Sequence, residues 1–190
     1  GRDPVIEQLR QLRRTAEMPA GVRKAAAWVM ARKGEKRVER LLNSLGAKTV
    51  DAYWNLASTR NRLRLEALAA WTAAGVDVVL CPPHATPALA HMQSADFSMG
   101  GCYAMRYNFL NFPAGVVPVS TVRENETERP QPADRVERAA AAAEADSTGL
   151  PLGVQVVARP YQEDKVLAVM MAIEAAARTR SDFPVTPVTP

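Results

Sequence analysis

Asn108-Phe109-Leu110-Asn111-Phe112-Pro113-Ala114-Gly115-Val116-Val117-Pro118-Val119 and, further on, Gly149-Leu150-Pro151-Leu152-Gly153-Val154-Gln155-Val156-Val157-Ala158-Arg159-Pro160-Tyr161-Gln162-Glu163-Asp164 set the architecture. Each is an apolar, β-branched run bracketed by Gly and Pro. That pattern reads as a buried strand entered and left by rigid turns, predicted over Pro113–Val122 and Leu152–Ala158. A third strand is expected at Val76-Asp77-Val78-Val79-Leu80-Cys81, stopped by Pro82-Pro83. It follows a helical pattern closed by Gly75, and a helix, a Gly turn and a strand make half of an α/β unit.

Ahead of these strands, Asp3 to about Ala74 is helical in pattern. Val5, Leu9 and Leu12 form a short apolar stripe that ends near Met18-Pro19. A second helical stretch, Val22 to about Leu45, carries Ala26, Val29, Met30 and Lys33 on one side, then Val38, Leu41, Leu42 and Leu45. Gly34 interrupts it, which predicts a hairpin rather than one rod, and Gly46 is a candidate C-cap. A third helix, Val50 to about Ala74, has Thr49 as candidate N-cap, with Tyr53, Leu56, Arg60, Leu63, Ala67 and Ala70 as its core-facing positions. Residues 83–100 read as loop and Cys102–Leu110 as a short helix. The polar stretch 123–132 precedes an exposed alanine-rich helix at Ala133–Ala145. A last helix is expected from Asp164 to about Ala177, with an extended or frayed tail from Ser181 to Pro190. The expectation is one partial domain: a helical cap-like region over 1–48, an α/β part over 49–178 and a tail over 179–190.

A chain of 190 residues, 47% hydrophobic and 23% charged, is long enough for one domain with a core. No long apolar span or signal peptide is visible. The two cysteines sit in apolar runs and give no disulfide framework, which points to a reducing compartment. Net charge is +4 but uneven: residues 1–75 hold 15 Lys/Arg against 7 Asp/Glu, and residues 76–190 hold 9 against 13. A basic first half suits an anionic partner such as a membrane surface, although a solvated helical face has the same composition. Nucleic acid is not expected, since no aromatic-interleaved basic patch or known motif accompanies the charge.

Catalytic chemistry is not legible locally. His84 and His91 are the two histidines, and Cys81 lies too close to His84 along an extended strand to pair as nucleophile and base. No CxxC or HxxxH spacing supports a metal, and no Gly-rich phosphate loop or dinucleotide fingerprint occurs, so no cofactor is expected.

The two opening stretches, in this order and separated by a charged insertion, resemble the C-terminal part of the amidase signature hydrolases. Tyr107-Asn108 with Phe112-Pro113-Ala114-Gly115-Val116-Val117-Pro118-Val119 tilts the resemblance toward the fatty acid amide hydrolase branch. The resemblance implies a mixed central sheet flanked by helices, to which this chain contributes about three strands and six helices. It also implies hydrolysis of a carboxamide through an acyl-enzyme on a serine, activated by a second serine and a lysine. Those three residues precede the region of resemblance, and Lys24, Lys33, Lys36, Lys48 and Lys165 do not match the lysine segment. The chain is therefore expected to be a C-terminal portion without catalytic residues. The alternative is a truncated, non-catalytic paralogue that binds lipid or an anionic membrane surface.

Matched backward from Phe112-Pro113-Ala114-Gly115, the resemblance places Ser98, Gly101, Cys102 and Met105 on the wall of an acyl channel. It puts Tyr161 at the channel border and Leu41 and Leu45 near its mouth. Gly101 departs from the lipid-specific pattern, which has a branched apolar residue there. The cap region Pro19–Leu45 is more basic than the pattern, with seven basic residues between Arg23 and Arg40 against two acidic ones. Trp28, Val29 and Met30 are the candidate membrane-inserted residues. The expected partners are a hydrophobic amide, an anionic membrane surface and a second copy of the chain, with a cytoplasmic or peripheral-membrane location.

Overall fold

The computed structural model describes residues 7–91, 93–95 and 97–185. The expectations at Asp3 and Val5 and for residues 186–190 lie outside the described residues, as do the side chains of Leu9 and Leu12. Three strands, β1 (Val78–Cys81), β2 (Ala114–Thr121) and β3 (Pro151–Ala158), form one sheet in the order β1–β3–β2, and both pairings are antiparallel. The central strand is β3, which pairs along both of its edges. There Val156, Val157 and Ala158 are fully buried, because strands on either side and helices above and below leave them no solvent.

Period-two alternation sorts β3 between two layers. Val156 and Ala158 face α7 (Glu163–Ala177), where Val166, Val169, Met170 and Ile173 recur at helical spacing. Val157 faces the other side, among Tyr107 and Leu110 of α5 (Cys102–Leu110), Phe112, and Ala67, Leu68 and Trp71 of α4 (Val50–Ala73). The chain is thus α/β, with helices on both faces of the sheet. Gly115 faces α7 opposite Val156, and a Cβ there would run into the Met170 sulfur. The missing side chain is what lets the helix lie that close. Pro118 opposes Gly153 while Ser120 opposes Leu152, which leaves Val119 as a bulge residue. A proline has no N–H for the ladder, so the irregularity falls beside it.

The remaining helices are α1 (Glu7–Glu17), α2 (Ala20–Arg32), α3 (Lys36–Ser44) and α6 (Arg135–Ala145). Gly34, at φ +80°, turns α2 back onto α3, so the expected hairpin forms. The Thr49 hydroxyl accepts from the Ala52 N–H at 3.1 Å and starts α4. Asn111 ends α5 in the left-handed conformation, and Arg60 from α4 donates to its side-chain oxygen and to the Phe109 carbonyl.

Three sequence expectations need correction. On α4, Tyr53, Leu56, Leu63 and Ala70 are exposed, and the inward stripe is Ala57, Arg60, Arg64, Ala67, Leu68 and Trp71. Apolar residues nearly encircle this helix, so several faces fit a helical period. Contact with Phe112, whose ring centre lies 5.2 Å from that of Trp71, selects one. Of the two alternatives for the tail, extended or frayed, the second does not hold over residues 181–185: Asp182 pairs with Arg180 and Arg123, and Pro184 is buried. The alanine-rich α6 buries Ala140 and Ala143, so one of its faces is packed rather than exposed.

Candidate functional site

The loop after β1 is held by a ring against a glycine. The Thr86 N–H donates to His84 Nδ1 at 3.3 Å, and the His84 ring meets Phe97 edge-on at 5.5 Å. Both rings lie where a Cβ on Gly100 would fall, within 2.6 Å, and the Ala85 N–H donates to the Gly100 carbonyl. His84 is therefore a packing residue. Residues 98–101 form a 3₁₀ turn that runs straight into α5.

This junction, with α3 and α6, lines a half-open pocket of about 390 Å³. One wall is apolar: Phe97, Met99, Met105, Val136 and Ala140, with Gly100, Cys102 and Tyr103 between them. The other end is ionic, lined by Arg37, Arg129 and Glu137. Arg37 Nη1 donates to both oxygens of Asp134 at 2.9 and 3.0 Å, and its Nη2 donates to Glu137 at 3.1 Å. Asp134 also caps α6 by accepting the Glu137 N–H at 2.9 Å. The Ala133 N–H, and then Arg37, hold the Glu137 carboxyl below its ordinary value. Arg129 is paired with Glu144, which raises the guanidinium further. The polar end is thus internally neutralised, and the pocket offers an apolar body with a hydrogen-bonding rim.

A second, open groove of about 660 Å³ runs between the Pro82–Leu89 loop and the strand ends at Val116, Pro118 and Pro151–Gly153. It is lined almost entirely by aliphatic and proline side chains, with His84 and Thr86 as its polar members.

Of the residues singled out by sequence, Cys102 and Met105 line the smaller pocket. Gly101 stands behind it, where a Cβ would touch Met105 Cε at 3.5 Å. Ser98 is exposed on the 3₁₀ turn and is not part of the lining. Leu41 is exposed and Leu45 half-buried at the end of α3, and neither lines the pocket. Tyr161 is 90% exposed at a positive φ, beyond the end of β3. On α2, Trp28 and Val29 are exposed and Met30 is half-buried, with the Arg32 guanidinium 4.0 Å from the centre of the Trp28 ring. Sequence reasoning missed the ionic end of the pocket. Arg37, Arg129 and Glu137 come from three separate polar segments, and no local spacing joins them.

Cys81 is a free, half-buried thiol whose sulfur accepts from Gln155 Nε2 at 3.2 Å. Burial, and then the neighbouring Cys81, push the Tyr107 phenol up. Among the described residues no group of three His, Cys, Asp or Glu side chains could hold a metal ion, and no helix is long and apolar enough to cross a membrane.

The amidase family model matches residues 7–167. Fatty acid amide hydrolase 1 of Caenorhabditis elegans is 39% identical over 106 residues, covering 53% of this chain and 18% of that protein. Fatty-acid amide hydrolase 1 of Sus scrofa is 34% identical over 143 residues, or 73% of this chain and 24% of that protein. A glutamyl-tRNA(Gln) amidotransferase subunit of Methylorubrum extorquens is 30% identical over 138 residues, covering 70% of this chain and 23% of that protein. The matched region spans about a fifth to a quarter of the length of these relatives. With most of its length matched, including both strands first read from the sequence, the chain belongs to the amidase family.

Proposed function

We propose that the chain is the C-terminal portion of an amidase-class serine hydrolase that cleaves the carboxamide bond of a fatty acid amide or a similar hydrophobic amide. The observation that carries this reading is the apolar wall formed by Phe97, Met99 and Met105, in the segment that leads into Phe112-Pro113-Ala114-Gly115. Seating an acyl chain on such a wall is worth about 0.8 kcal/mol per buried methylene, so chain length becomes the basis of selection. Gly101, Cys102 and Met105 belong to that acyl wall. Leu41, Leu45, Ser98 and Tyr161 complete the channel where further protein lies against them. In this reading the Ser-Ser-Lys chemistry comes from outside the chain, and the chain contributes wall and cap.

The test is to determine the coding sequence ahead of Gly1 and to assay its product on long-chain and short-chain acyl amides. An in-frame lysine followed by a Gly-rich Ser-Ser segment, with preference for the long-chain amide, supports the reading. A start codon directly before Gly1 refutes it.

A second reading rests on α2, where Val22, Trp28 and Val29 are exposed on a basic hairpin. In it the hairpin adsorbs to an anionic membrane, with roughly 1 kcal/mol for each basic residue near the surface. The protein is then peripheral to the membrane or cytoplasmic, with or without catalysis. Co-sedimentation with phosphatidylserine vesicles that is abolished by salt and weakened by Trp28→Ala supports it; no binding at low salt rejects it.

A further inference from the structure

We infer that the α2–α3 hairpin is a lid on the pocket between α3, α5 and α6, held shut by an ionic latch to the first turn of α6. The latch has two arms of opposite sense. Arg37 of the hairpin reaches the carboxylates of Asp134 and Glu137 at 2.9 and 3.1 Å. Glu35, just before α3, accepts from the Arg138 guanidinium at 2.6 Å and, with its other oxygen, from the Arg135 N–H at 2.8 Å. A base pointing one way and an acid the other fix a single register between the two helices.

The hairpin has little apolar anchorage with which to share this task. α3 buries no residue and α2 buries Ala27. Neither apolar cluster on the sheet contains a hairpin side chain. Gly34 is the inner turn of the hairpin, and the chain leaves α3 at Gly46, also at positive φ, with the Arg23 guanidinium lying over it. Arg37 is at once an arm of the latch and a wall of the pocket, so releasing the latch opens the pocket. The latch is open to salt from one side. Arg37 and Arg138 keep 46% and 56% of their side-chain surface exposed, against 11% and 12% for Asp134 and Glu35, so counter-ions reach each pair at its cation.

The lid does not depend on what the pocket takes, and its test reads opening rather than turnover. Ala140 lines the pocket and is 3% exposed, so Ala140→Cys in a Cys102→Ser background places a buried thiol beneath the lid. N-ethylmaleimide is uncharged, so its intrinsic rate does not follow ionic strength as that of a charged reagent would. Half-buried Cys81 reports general unfolding in the same sample. Raising salt from about 50 mM to about 1 M, which collapses the screening length, is expected to speed labelling at position 140 roughly three- to tenfold. Glu35→Arg is expected to do the same at low salt, and Glu35→Arg with Arg138→Glu to return the rate toward its starting value. A rate that ignores salt or Glu35→Arg, or that the double exchange leaves high, overturns the latch. The salt titration decides alone where Glu35→Arg does not fold.

Discussion

Gly100 lies between the rings of His84 and Phe97, both within 2.6 Å of the position a Cβ would take. Neither ring is the free end of a flexible chain, so Gly100→Ala must displace the Pro82–Leu89 loop or the turn into α5. Overpacking of this kind costs about 1–3 kcal/mol, which urea denaturation will read as a lower midpoint at unchanged slope. A midpoint equal to the parent's rejects the wedge. Asp182 gives a prediction in pH. Arg180, with help from Arg123, holds its carboxyl at about 2. A carboxylate lowered on folding adds stability that is present above its unfolded value and lost as pH falls through its folded one. The melting temperature of Asp182→Asn should therefore lie below the parent's at neutral pH. The gap should close between about pH 4 and about pH 2. A gap constant across that window would show that the pairs tie down nothing in the tail.

Among the elements, α4 separates what sequence can show from what it cannot. Its start and end were legible because they are written locally: a Thr49 hydroxyl that caps, and a Gly75 at φ +63° that no other residue adopts so easily. Its inward face was only partly legible, because Leu56, Leu63 and Ala70 fit a helical period as well as Arg64, Leu68 and Trp71 do. Only the contact with Phe112, far along the chain, decides between them. Trp71→Ala is expected to cost about 3 kcal/mol and Leu56→Ala less than about 0.5 kcal/mol. Equal losses in a thermal melt would return the face to Leu56. The pocket divides in the same way. Cys102 and Met105 stand in one short helix just ahead of a recognisable strand entry, so the resemblance could single them out. Arg37 and Glu137 lie 100 positions apart and meet only because α3 docks on α6.

Across the protein, the apolar surface left uncovered is the dominant feature. Val50, Tyr53 and Trp54, in the first turns of α4, are 72%, 64% and 63% exposed. Leu167 and Met171 are as open on the outer side of α7. Within the described residues β1 and β2 are both edges, each with unpaired backbone groups on its outer side. Patches and edges of this kind drive association. Sedimentation velocity on the isolated chain is expected to show oligomers whose population rises with concentration. A monomer with a sharp two-state melt would contradict it.

The strand order also bears on synthesis. β3 is the middle of the sheet and the last of the three to leave the ribosome, and β1 must wait for partners some 77 positions downstream. Until Ala158 has emerged, β1 and β2 have no hydrogen-bonding neighbour in common, and the apolar side chains of α4 and α5 stay wet. Contacts so distant in sequence form slowly, because the intervening chain must first be closed into a loop. The nascent chain therefore passes through a long interval as an open, sticky intermediate, the stage at which a chaperone's grip matters most.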